Sequence, residues 1–172
     1  MRDVTFCTDM FGGGPRSRAY SERALGCLLW ALIFADESYL LSAPGTPPLL
    51  KSGIRWQREE PTGRSACEGG TGQEQFLGPR QILKQGFADC EDIVCWRVAE
   101  ARSGVVRPSF SVPPKAGHPG ITVVPAPYPM RPKFDLLPAF FSRRTSPNTI
   151  MYHIVAAWMV GGQVARVEDP SR

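Results

Sequence analysis

Ten of the seventeen prolines in this 172-residue chain fall between Pro108 and Pro147, and that clustering limits the fold more than any other feature. Proline lacks a backbone N–H and has a fixed φ, so it breaks helices and is kept out of central strands. This stretch is therefore expected to supply neither a long helix nor a central strand. Ile121-Thr122-Val123-Val124 is the one part of it that reads as a strand. Tyr128, Phe134, Phe140 and Phe141 punctuate the remainder, which suits packing over a core or a cleft. The regular elements must come mainly from the flanks.

Residues 1–18 contain Gly12-Gly13-Gly14-Pro15 and no apolar periodicity, so they read as a flexible arm in front of a single domain over 19–172. Ser21 can cap a helix running to about Leu41, with Leu25, Leu28, Leu29, Leu32 and Tyr39 on its apolar side. Because Arg16, Arg18 and Arg23 precede the apolar run Ala24 to Ala35, a signal peptide has to be weighed. The run starts deep in the chain, is too short to span a bilayer, and continues its periodicity through Asp36 to Leu41; a buried helix is expected. Ile54-Arg55-Trp56 alternates like a short strand, and the polar, Gly-rich residues 57–74 read as a surface loop. Pro79 suits the first position of a short helix that Gly86 closes.

The segment Gly86 to Arg102 holds the best candidate for chemistry. Asp89 is a preferred N-cap residue, and Glu91 and Asp92 carry negative charge where a helix dipole favours it, so a helix begins near Cys90. Helical spacing puts Cys90, Val94, Val98 and Ala101 on one face and Arg97 and Glu100 on another. A thiol at a helix N-terminus lies beside free backbone N–H groups that can stabilise a thiolate and an oxyanion. The Cys90 N–H is one oxyanion donor, with Gln81 or Gln85 as candidates for a second. Asp89, Glu91 and Asp92 act against ionisation, so a protonated histidine must offset them.

A nucleophilic cysteine needs a base and an orienting group, and both stand near the C-terminus, in Tyr152-His153-Ile154-Val155 and Val167-Glu168-Asp169-Pro170. His118, in Gly117-His118-Pro119-Gly120, reads as a surface loop residue. In chain order, a Cys at a helix start, a His on a strand and an Asp on the next strand resemble the transglutaminase-like cysteine protease and transamidase superfamily. Asp89-Cys90-Glu91-Asp92 with Trp96-Arg97 and Ala99-Glu100, joined to Tyr152-His153 and Glu168-Asp169-Pro170-Ser171, are similar to small transglutaminase-like proteins encoded by phages and prophages. Pro44-Gly45-Thr46-Pro47-Pro48-Leu49 and Ser52-Gly53-Ile54-Arg55-Trp56 are similar to the lead-in of those proteins. The resemblance implies an α+β fold with a papain/transglutaminase-like core, a nucleophile helix packed on a small antiparallel β-sheet, and a proline-rich insert at about 108–147. It implies acyl transfer on peptide or carboxamide bonds by a Cys90–His153–Asp169 triad, as a peptidase or a transamidase. A different reading is a catalytically silent structural or assembly protein of phage type that keeps the fold.

Other classes find little support in the residues. The net charge of +4 is small and no basic run marks a nucleic-acid surface. Cys7, Cys27, Cys67, Cys90 and Cys95 form no Cys-x-x-Cys pair, which suits neither a disulfide framework nor a zinc ribbon and points to a reducing compartment. Cys95, about 140° round the helix from Cys90, is expected in the core. No cofactor, metal or membrane is expected. The expected partners are a peptide or protein substrate and virion or assembly proteins, in the host cytoplasm or in the virion.

The last hairpin carries a sharp geometric condition. A two-residue Gly161-Gly162 loop pairs Val160 with Gln163 and leaves His153 and Asp169 on opposite faces. A three-residue loop, Val160-Gly161-Gly162, pairs His153 with Asp169 directly and lets Gly162 take the positive φ of a G1 bulge. The three-residue loop, or a register shifted by two residues, is what a triad requires; with Val160 paired to Gln163, only a compensating bulge would keep Asp169 in it.

Overall fold

The computed structural model describes residues 15–57, 76–105, 120–128, 135–146 and 149–170, with α and β elements in one α+β arrangement. The expected flexible arm and the expected surface loop at 57–74 fall mostly outside these residues, and His118 wholly so. Helix α1 spans Pro15–Ser42, starting seven residues earlier than Ser21 as a cap would allow, and proline is at home in the first helical turn. Its Leu25, Leu28, Leu29, Trp30, Ile33 and Leu40 are buried, in the spacing of a core-facing stripe. The part from Glu22 to Ser42 is long and apolar enough to cross a membrane, longer than the run Ala24 to Ala35 indicates. Much of that apolar surface lies instead on the next long helix.

After a single 3-10 turn at Leu49–Lys51, strand β1 (Arg55–Trp56) pairs in parallel with β2 (Phe87–Ala88). Helix α2 (Pro79–Gln85) lies between them in sequence, begins on Pro79 as expected, and ends on Gly86 at φ 81°. Helix α3 (Cys90–Ser103) ends on Gly104, also left-handed at φ 80°. It contacts α1 on one side and the main sheet on another, so every residue from Glu91 to Glu100 is buried. The face that carries Arg97 and Glu100 is thus as enclosed as the apolar one.

The main sheet is antiparallel, in the order β3 (Ile121–Val123), β4 (Asp135–Ser146), β5 (Thr149–Val160), β6 (Gln163–Glu168). Strand β4 corrects the reading of the proline-rich stretch: it is twelve residues long, lies between β3 and β5, and has Pro138 within it. The ladder explains how proline fits there. The Pro138 carbonyl accepts from the Val124 N–H at 2.9 Å, so the missing N–H points toward the β3 side, where β3 has already ended at Val123. Pairing with β5 loses nothing, because in an antiparallel ladder a residue's N–H and C=O both point to one neighbour. Pro138 therefore ends β3 and leaves β4 intact.

Candidate active site

The approach to Cys90 is built from turn chemistry on both sides. Gln81 Oε1 accepts from the Gly78 N–H at 3.2 Å, holding the start of α2, and Gln85 Nε2 donates to the Phe87 carbonyl at 2.7 Å, holding its exit. Both glutamines offered above as oxyanion donors thus have structural roles in the α2 turns. Asp92 Oδ1 accepts from the Leu77 N–H at 2.7 Å, which ties the lead-in of α2 to the first turn of α3. Asp89 takes the N-cap position in extended conformation, though without a side-chain capping bond, and Cys90 is the first helical residue.

The Cys90 sulfur is half-buried against β5, where the backbone of Ile154 hydrogen-bonds to it. It lies 3.2 Å from Glu91 Oε2. Burial pushes the Cys90 thiol above its ordinary value, the Asp89 charge adds to that push, and the Ile154 backbone opposes it. Cys90 accordingly rests as a neutral thiol beside residue 154. Its hydrogen-bond partner among the described side chains is Glu91, whereas the triad reading placed it at the His153 ring.

His153 and Asp169 do meet: His153 Nε2 and Asp169 Oδ2 are 2.9 Å apart, with both side chains partly exposed. The route to this contact differs from the expected one. The hairpin has the two-residue loop, with Val160 opposite Gln163 and Met159 opposite Val164, the arrangement that separates the two residues. A bulge then intervenes. Trp158 pairs with Arg166, so Ala165 is the extra residue and every later pair moves by one place, down to Ala156 opposite Glu168. Continued by one step, that register sets Asp169 across from Val155, which shares a face with His153 two residues away. Gly161 and Gly162 both adopt positive φ, at 56° and 79°, as a tight two-residue loop of primed type requires.

The comparisons with known proteins give no assignment. No family model, curated protein or solved structure matches this chain. The site has to be read from its own geometry.

With Nε2 engaged by a carboxylate, the proton sits on Nε2 and Nδ1 is left as the basic nitrogen. Near the middle of β5, the backbone of Ile154 thus meets the Cys90 thiol, and the preceding residue carries the imidazole that Asp169 engages. Among the described residues no group of three or more His, Cys, Asp or Glu could hold a metal ion. Cys27 is exposed, and Cys95 is fully buried with its sulfur 3.6 Å from the Leu29 carbonyl, a core position.

Arg97, Glu100 and Glu168, quoted above for the resemblance without a role, form a network beside the site. Glu168, next to Asp169, accepts from Arg97 Nε at 2.6 Å and from Trp158 Nε1 at 2.9 Å. Arg97 also reaches Glu100 Oε2 at 3.2 Å, and the other Glu100 oxygen accepts from the Leu49 N–H. Burial raises the Glu100 carboxyl above its ordinary value, with Leu49 and Arg97 opposing. The available signal was a set of charged residues on a helix whose neighbours leave no solvent-facing side.

Proposed function

We propose that this protein performs cysteine-dependent acyl transfer on peptide or carboxamide bonds, with a papain/transglutaminase-like core. The observation that carries the reading is the 2.9 Å His153–Asp169 contact beside Ile154, whose backbone touches the Cys90 sulfur. In this scheme His153 Nδ1 takes the thiol proton and the thiolate attacks the carbonyl carbon. The Cys90 N–H, at the first position of α3, supports the developing oxyanion. His153 returns the proton to the leaving amine, and a thioester remains on Cys90. Water then releases an acid, or an amine releases a new amide, which is the difference between a peptidase and a transamidase. Asp169 holds the imidazole in the tautomer that leaves Nδ1 basic and stabilises the imidazolium that forms.

The substrate in this reading is a peptide or protein carboxamide, including virion or assembly proteins, met in the host cytoplasm or in the virion. The test is labelling of the full chain with an electrophilic peptide amide at neutral pH, followed by mapping of the modified residue. Modification at Cys90 that disappears in His153→Ala supports the triad. Equal labelling of Cys90 and the exposed Cys27, unchanged in His153→Ala, would leave a structural protein that keeps the fold without turnover.

A further inference from the structure

Asp169 lies one residue beyond the end of β6. The β5–β6 ladder ends at the Ala156–Glu168 pair, so the residue that orients His153 follows the last paired position. A strand end of this kind frays unless side chains tie it down. Glu168 supplies the tie: its carboxylate takes Arg97 Nε at 2.6 Å, Arg97 Nη2 at 3.5 Å and Trp158 Nε1 at 2.9 Å. The arginine is held from behind by Glu100, which is fully buried and is itself fixed by the Leu49 N–H. Arg97 is 7% exposed, so water competes weakly for these bonds.

We infer that Arg97 is a positioning residue for the site, holding Glu168 and so setting Asp169 within reach of His153. The guanidinium fork suits this task because it approaches a carboxylate through two nitrogens at once and fixes its orientation as well as its distance, which a lysine ammonium does not do. The three elements joined are the 3-10 turn, α3 and the β5–β6 hairpin. The same helix that presents Cys90 at its first residue thus presents Arg97 two turns later, and sets nucleophile and orienting carboxylate against one rigid rod. The effect on Cys90 reactivity rests on the acyl-transfer reading; the effect on His153 does not.

Two measurements on the full chain separate these. The chain has two histidines, so 15N-histidine labelling gives two ring spin systems, with His118 as the internal reference. The 15N shifts of His153 report which ring nitrogen carries the proton. The parent is expected to show the Nε2–H form; Asp169→Ala mixes the tautomers, Arg97→Met mixes them to the same degree, and the double variant goes no further. Trp158→Phe, which removes the indole donor and part of a buried ring but leaves Arg97 in place, is expected to fall between parent and Arg97→Met, and decides the matter if Arg97→Met does not fold. Alkylation of Cys90 should slow about 10- to 100-fold in Arg97→Met, the loss a misplaced catalytic group brings. A folded Arg97→Met, or a Trp158→Phe standing in for it, with the parent's His153 signature would overturn the inference, as would a parent lacking the Nε2–H form. An unreactive Cys90 in a parent with the expected signature would sink acyl transfer and leave the positioning role of Arg97 standing.

Discussion

The bulge at Ala165 makes this hairpin asymmetric toward changes of length, and that can be tested with two single-residue variants. Deleting Ala165 removes the extra residue, so Arg166 still faces Trp158 and Glu168 still faces Ala156, and the His153–Asp169 contact is expected to survive. Inserting one alanine after Ala165 moves Glu168 to a place across from Val155 and Asp169 to one across from Ile154, so both change face. Two losses follow. Asp169 leaves His153, and Glu168 leaves Arg97, whose side chain is 9% exposed and retains only Glu100. Removing a partner from a buried ion pair costs about 3–5 kcal/mol. For a domain of this size that is on the order of 10 °C in Tm, at about 2–4 °C per kcal/mol. Thermal melting by circular dichroism and the rate of Cys90 alkylation read the two losses. The reasoning fails if the deletion abolishes alkylation, or if the insertion leaves both Tm and rate at parental values.

Three further outcomes are expected. Cys90→Ser should abolish labelling with little change in Tm, since a hydroxyl fills nearly the same space; loss of folding would mark Cys90 as structural. Asp169→Asn should lower activity less than His153→Ala, because orienting a base matters less than supplying one; the reverse ranking of alkylation rates would exclude His153 as the base. Burial holds the Asp36 carboxyl well above its usual range, and its Oδ2 has no hydrogen-bond partner among the described residues. The folded state thus keeps a proton that the unfolded chain releases above about pH 4, and this contribution to stability falls as pH rises through that value. Asp36→Asn should therefore be more stable than the parent at pH 7, by about 1.4 kcal/mol for each unit by which the carboxyl is raised, and equal to it near pH 3. Urea unfolding at the two pH values checks both halves, and a gap independent of pH would refute the assignment.

Local signals carried a large part of this structure. Pro79 and Gly86 bracket α2, Asp89 and Gly104 bracket α3, and the apolar spacing from Leu25 to Leu40 marks the buried side of α1. These depend on residues close in sequence, where the backbone's own chemistry decides. Strand β4 was hidden because proline's cost in a strand depends on which neighbour its missing N–H faces, a fact of pairing and not of composition. The pairing of His153 with Asp169 was legible as a condition on faces, but the register that meets it was not: Gly161-Gly162 allows two loop lengths, and nothing in Val164-Ala165-Arg166 announces a bulge. Spacing set Arg97 and Glu100 on a face apart from the apolar one, but helical periodicity cannot reveal that a helix is covered on more than one side.

Pro138 also bears on how this protein behaves in a crowd of its own copies. Beyond the end of β3, the flank of β4 would offer its backbone donors to any extended chain, the usual start of edge-to-edge aggregation. The two donors that would begin such a ladder are both withdrawn: Pro138 has none, and the Leu136 N–H is taken by Asp135 Oδ1 at 3.1 Å. An incoming strand would meet carbonyls without matching N–H groups and a carboxylate in its path. The proline that fixes the length of β3 therefore also makes this end of the β4 flank a poor template for recruiting another molecule.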